Sequence, residues 1–181
     1  MKKLFEDYSY KIVSAEEFSP FFFENRAKVF KDHFSFNLAN TFTEKQIELE
    51  KETSNPNAYS LKILIYKKEE IIGWHFGFQK FDSYYMTNTA IFEAHRNKGI
   101  YSCLLKEIIG ILIEAGFPKI TSSHLASNNA VIVPKLKAGF LVSGISIDER
   151  FGTMLNLSYF INPKMKKAYL MRTGEQKLGN L

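Results

Sequence analysis

IFEAHRNKGIYSCLLKEIIGILIEA, residues 91–115, holds the transition that organises this chain. A strand-like run from Thr87 to Phe92 ends in a basic turn, His95-Arg96-Asn97-Lys98-Gly99. The turn leads without a break into an amphipathic helix predicted from about Gly99 to Ala115. Ile100, Leu104, Ile108, Ile111, Leu112 and Ala115 share one face. Lys106 and Glu107 mark the other, which Leu105 and Ile109 make partly apolar, as expected of a helix covering the centre of a sheet. A helix N-terminus carries unpaired N–H groups and the positive end of a dipole. With Gly99 letting a ligand approach, and with Arg96 and Lys98 alongside, this turn reads as a seat for a diphosphate. The same residues also serve solubility and turn geometry in many strand-to-helix connections.

Working outward, Tyr8–Val13 alternates as an edge strand. Ser14 with Glu17 forms a capping box for a helix through Phe18, Phe22, Val29 and Phe30, with Pro20 tolerated in its first turns. Thr43–Thr53 is a polar helix stopped by Ser54-Asn55-Pro56-Asn57. Tyr59–Lys67 and Ile71–Lys80 form a hairpin across Lys68-Glu69-Glu70, and Tyr84–Phe92 is the next strand. Gly116 and Pro118 end the central helix. Then come a short strand, Lys119–Ser123, and a helix, Asn128–Ala138, ended by Gly139. Strands Phe140–Asp148 and Met154–Phe160 are joined by a turn at Gly152. The order β-α-α-β-β-β-α-β-α-β-β predicts an α/β (α+β) domain: a mixed sheet, flanked by helices on both faces. Residues 1–162 make that domain, and residues 163–181 a basic helical appendage or loose tail.

The 181 residues suit one domain with a real core. An apolar share of 45%, with 17 Phe and 9 Tyr, argues against disorder. No long apolar run predicts a membrane span, and Glu6 and Asp7 interrupt any leader-like start. A single cysteine, Cys103, forms no internal disulfide, so the expectation is a reduced, cytoplasmic protein. The net charge of +5 favours an anionic ligand but is too small and dispersed to argue for nucleic acid. His33, His75, His95, His124 and Cys103 show no metal-ligand spacing. Neither a Walker loop, nor G-x-G-x-x-G, nor a G-x-S-x-G elbow occurs.

Arg96-Asn97-Lys98-Gly99-Ile100-Tyr101 resembles the acetyl-CoA motif of the GNAT superfamily of N-acetyltransferases, Gln/Arg-x-x-Gly-x-Gly/Ala. Arg96 and Gly99 match; Tyr101 departs at the last small position. Downstream, Asn128 and the pair Gly139-Phe140 match the family's Asn and Gly-Phe in spacing. The element order is also similar to the GNAT fold over roughly residues 8–160, with a mostly antiparallel sheet.

The resemblance implies acetyl transfer from acetyl-CoA to a primary amine, small-molecule or protein, by direct attack in a ternary complex. An acyl-CoA-binding or regulatory module without chemistry is the alternative. A homodimer through late strands is a further implication. By the same resemblance, the backbone of Thr89, Ala90 and Ile91 pairs with the pantetheine arm. Arg96 and the amides of Asn97, Lys98, Gly99, Ile100, Tyr101 and Ser102 hold the pyrophosphate. Asn128 bonds the pantetheine or an ordered water, or simply caps its helix. A splay between strands brings the thioester carbonyl to a backbone N–H in a bulge.

Where many members place a proton-donating Tyr, this chain has Lys135, preceded by Pro134. Lys135 can donate to a leaving thiolate; its other reading is a solvated lysine. Pro134 predicts a helix that kinks or begins anew there. The family's Glu base falls at Ser123, beside His124, and His75 is the other candidate base. A lone histidine in a strand is more often a structural residue. Phe21-Phe22-Phe23, with Phe30, Phe34 and Phe36, reads as an acceptor pocket or as core, and residues 28–43 are where acceptor selectivity is expected.

Overall fold

The computed structural model describes residues 1–30, 42–53, 55 and 57–175. Along the described residues run the strands and α-helices β1 (Lys2–Phe5), β2 (Tyr8–Ile12), α1 (Ala15–Val29), α2 (Glu44–Thr53), β3 (Ser60–Lys67), β4 (Glu70–Lys80), β5 (Ser83–Ile91), α3 (Ile100–Glu114), β6 (Lys119–Leu125), α4 (Asn129–Lys137), β7 (Leu141–Asp148), β8 (Gly152–Phe160) and α5 (Pro163–Arg172). The strands form one sheet in the order β1-β2-β3-β4-β5-β6-β8-β7. All neighbours are antiparallel except β5 and β6, the pair joined through α3. The expected mixed, mostly antiparallel sheet with helices on both faces is what forms.

Period-two alternation sorts the sheet into two cores. On one face Ile63, Ile65, Ile72, Tyr84, Ile120 and Leu157 pack against Ile100, Leu104, Ile108 and Leu112 of α3 and Ile132 of α4. On the other, Leu64, Trp74 and Ala90 pack under Phe18 of α1. Phe21, Phe22 and Phe92 surround the Trp74 ring at centroid distances of 5.8–6.1 Å. Trp74 Nε1 donates to Asn88 Oδ1 at 2.7 Å, which satisfies the buried indole. The Phe cluster of α1 is therefore core at Phe21 and Phe22, while Phe23 is exposed. Phe34, Phe36 and His33 lie outside the described residues, as does most of the segment expected to shape acceptor selectivity.

Two features fix α3. Tyr10 of β2 donates to Glu107 Oε2 at 2.8 Å, and burial together with that carboxylate pushes the phenol up to about 12. At the far end Gly116, with φ +82°, closes the helix: Gly116 N–H reaches Ile113 and Phe117 N–H reaches Leu112. That is a Schellman closure, with Phe117 buried as its apolar partner. The apolar character of Leu105 and Ile109 also has its reason, since both are buried and α3 is enclosed on more than one side.

The structure departs from expectation in two places. Tyr8–Ile12 is not the edge, because β1 pairs outside it across a tight turn at Glu6 and Asp7. A four-residue strand carrying Lys2 and Lys3 has too little pattern to read, and lysines suit an exposed edge. Helix α4 runs through Pro134 without a new start. The carbonyl that Pro134 leaves without a donor is that of Ala130, in the exposed first turn where water can serve it. Of the two readings of the tail, residues 163–172 take the helical one: Asn162 caps α5 by accepting from Lys164 and Met165 N–H, and Tyr169 packs on Phe160 of β8 at 5.0 Å.

Candidate functional site

Strands β5 and β6 pair only at Tyr84↔Ile120 and Tyr85↔Thr121. Beyond those pairs β5 continues to Ile91 and β6 to Leu125, so the two strands diverge into a fork. A bulge accompanies the divergence: Phe76 faces Asn88 but Gly77 faces Met86, leaving Thr87 as the extra residue of β5. Such bulges bend and twist a strand away from its neighbour. Two glycines of β4 make the arrangement fit. A Cβ on Gly77 would lie 2.3 Å from Tyr84 Oη, and one on Gly73 would lie 2.2 Å from the Ala90 carbonyl oxygen.

The outer end of β5 delivers the chain to the basic turn. One 3-10 turn, Glu93–His95, separates β5 from residues 96–99. Asn97 (φ +61°) and Gly99 (φ +80°) are left-handed and Lys98 between them is not, a conformational alternation that turns successive N–H groups into one concavity. The first helical bond of α3 is Cys103 N–H to the Gly99 carbonyl at 3.1 Å, and no side chain caps Gly99. The amides of residues 97–102 have no backbone acceptor among the described residues. A Cβ on Gly99 would meet nothing within 4 Å, so the space above the turn is open.

Arg96 and Lys98 both serve the geometry of the turn. Arg96 Nε donates to the Ile91 carbonyl at 2.9 Å, and Lys98 Nζ to the Ala94 carbonyl at 2.8 Å. Both brace the turn while staying exposed, with further N–H donors left over. Tyr101, in the first turn of α3, packs toward the core, and burial pushes its phenol up.

At the base of the fork sits Lys135 of α4, only 1% exposed. The reading of a solvated lysine is therefore wrong. Its Nζ donates to Ser122 Oγ at 2.6 Å, lies 3.4 Å from Met86 Sδ, and stands 4.9 Å over the Phe140 ring. Met86 and Ser122 are the first residues past the last β5–β6 pairs, so Nζ marks the point where the strands part. Among the described residues no carboxylate pairs with it, and burial lowers its pKa from 10.5 to about 7.

The two histidines differ. His75 is fully buried, with Nδ1 2.8 Å from Thr89 Oγ1 and Nε2 2.9 Å from Tyr84 Oη. Both ring nitrogens are used, and burial with the nearby Lys135 charge lowers its pKa to about 3. It ties β4 to β5 across the bulge, and a base with no free nitrogen cannot take a proton from an incoming group. His124 is half-buried, with Nε2 3.0 Å from Ser122 Oγ; burial and Lys135 lower it also to about 3. Lys135, Ser122 and His124 are thus contiguous, and His75 lies outside that set.

Thr89 spends its hydroxyl on His75, and Ala90 packs in the Trp74 core. Beyond Tyr85 the backbone of β5 has no pairing with β6, so its edge along residues 86–91 is open toward the fork. Asn128 precedes α4 but its side chain makes no capping bond, so its amide is uncommitted among the described residues. Ser123 points to the opposite face and donates to Asn156 Oδ1 at 2.7 Å. Ser122 escaped the sequence reading. The signal was there in the alternation Ile120, Ser122, His124, which puts all three side chains on one face of β6.

No described helix is long and apolar enough to cross a membrane, and no group of His, Cys, Asp or Glu among the described residues could hold a metal. No family model matches the sequence, and no curated protein matches it. Solved structures do. A ribosomal L7/L12 α-N-protein acetyltransferase in complex with coenzyme A superposes with a TM-score of 0.65 at 12% identity, over 88% of this chain and 97% of that one. The ribosomal-protein-S5-alanine acetyltransferase of Vibrio fischeri gives 0.62 at 14%, over 88% and 96%. A GNAT family acetyltransferase of Elizabethkingia anophelis with acetyl-CoA bound gives 0.62 at 16%, over 86% and 99%. At these identities the likeness is one of fold: the chain has the GNAT fold.

Proposed function

We propose that this protein is an N-acetyltransferase that moves an acetyl group from acetyl-CoA to a primary amine. One juxtaposition carries the reading: a forked pair of strands whose outer arm runs, through a single turn, into an uncapped helix N-terminus. The amides of Asn97, Lys98, Gly99, Ile100, Tyr101 and Ser102 hold the diphosphate, with Arg96 bracing the turn. The open backbone edge of Thr89, Ala90 and Ile91 takes the pantetheine as an added strand, and the Asn128 amide bonds it from α4. Acetyl-CoA supplies the activated acyl group. The fork orients it, excludes bulk water, and offers backbone N–H outside the ladder at the Thr87 bulge to the developing oxyanion. Attack is direct, with an acceptor amine from a small molecule or a protein, and the proposed setting is the cytoplasm.

Lys135 is the acid. An ordinary lysine near 10.4 would hold its proton against a thiolate near 8.5. At about 7, Lys135 is the stronger acid, so its proton passes downhill to the leaving sulfur. This favours an enzyme over a silent CoA-binding module. Calorimetry with coenzyme A, followed by thiol release from acetyl-CoA with a panel of amines, tests the proposal. Binding with turnover is expected. Binding without thiol release across a broad panel would favour the module, and no binding would remove both readings.

A further inference from the structure

We propose that Ser122 joins Lys135 and His124 into a proton wire that recharges the buried lysine from the protein surface. The inference rests on the acetyltransferase reading above and deepens it. Lys135 Nζ lies 2.6 Å from Ser122 Oγ, which lies 3.0 Å from His124 Nε2. Lys135 and Ser122 are each 1% exposed, so a spent Lys135 has no direct access to water. His124 is half-buried, and its Nδ1 has no partner among the described residues and is not among the buried unsatisfied atoms, which places it in contact with solvent.

Hydrogen-bond inventory fixes the direction of the chain. An ammonium only donates, so Ser122 Oγ accepts from a charged Lys135. The single hydroxyl proton then goes to His124 Nε2, which must be bare, with the histidine proton on Nδ1. A neutral Lys135 accepts instead, the hydroxyl turns to Nζ, and His124 donates from Nε2. Among the described residues the titratable groups facing Lys135 are His124 on β6 and His75 on β4, and both are neutral at physiological pH. Met86 and Phe140 add uncharged contacts to Lys135.

The reaction balances through this chain. A C–N bond forms, the C–S bond breaks, and one proton moves from the amine to sulfur. Lys135 gives sulfur its proton. His124, left with its proton on Nδ1, then exchanges with solvent at its half-buried ring, losing the Nδ1 proton and gaining one on Nε2 with no net proton moved. A proton of the kind the amine has shed can now enter at Nδ1, the Nε2 proton passes to Ser122 Oγ, and the hydroxyl proton passes to Nζ. The chain returns to its starting arrangement with the lysine recharged.

The wire is tested on the free protein by nitrogen NMR of His124 across the Lys135 titration. His124 should carry its proton on Nδ1 while Lys135 is charged and shift toward Nε2 as Lys135 becomes neutral. Ser122→Ala should leave both groups in place but uncouple them. Lys135→Met should erase the step from the His124 signal. In turnover, Ser122→Ala should lower kcat by about tenfold or more while leaving the affinity for acetyl-CoA within about twofold. A His124 tautomer that ignores Lys135, or follows it equally well without the Ser122 hydroxyl, overturns the wire. Loss of CoA binding would instead overturn the acetyltransferase reading and leave the measured coupling standing, so the two failures are distinct.

Discussion

Lys135→Met should stabilise the protein near neutral pH while removing the proposed acid. The lysine falls from 10.5 to about 7 on folding because burial penalises its charge. At about 1.4 kcal/mol per unit, the fully charged form costs the fold on the order of 5 kcal/mol. The sign follows from proton binding. Between the folded and unfolded values, pH 7 to 10.5, the unfolded chain binds the extra proton, so wild-type stability rises with pH through that window. Methionine fills a similar volume and carries no such term. It forfeits the bond to Ser122 and the contact over Phe140, on the order of 1–2 kcal/mol each. Urea unfolding at pH 6 should therefore find the variant more stable by about 1–3 kcal/mol. By pH 9 its advantage over wild type should shrink by about 3 kcal/mol and change sign. A stability difference that does not vary with pH would show Lys135 equally charged in both states and would refute the argument.

Three further perturbations follow from the same geometry. Gly99→Glu puts a carboxylate in open space above the amides, so the fold should hold within about 1–2 kcal/mol while CoA affinity falls at least tenfold by calorimetry. Gly77→Ala drives a Cβ into Tyr84 Oη and should cost about 3 kcal/mol or more by chemical denaturation, with loss of the His75–Tyr84 bond. His75 and His124 both fold with pKa values near 3, so stability should fall as pH drops below the unfolded value of 6.5, by about 1.4 kcal/mol per pH unit for each group. His75→Gln should remove one of these slopes in acid unfolding and leave the pH dependence of turnover above pH 5 unchanged.

The sequence carried the fold wherever pattern and punctuation agreed. The 3.6-residue stripe of α3, Gly99 before it and Gly116 after it located the helix and the turn. The alternations of β3 and β4 gave the hairpin. Lysine identity misled at position 135, because composition places lysine in water and only the assembled sheet encloses this one. The misjudged helix at Pro134 came from local propensity, which the tertiary fit of Ile132 and Lys135 overrides. The structural reading of His75 was open from its place in a strand, but its partners were not: pairing register sets both its nitrogens against β5, a relation invisible in one segment. The fork itself is also long-range: nothing within residues 83–91 or 119–125 says that their pairing stops after two residues.

A crystal structure with coenzyme A bound tests the central claim most directly. The account predicts the diphosphate on the amides of residues 97–102, the pantetheine along the open edge of β5, and the sulfur in the fork within hydrogen-bond reach of Lys135 Nζ. Coenzyme A bound elsewhere on the protein, or a sulfur remote from Lys135, would contradict it.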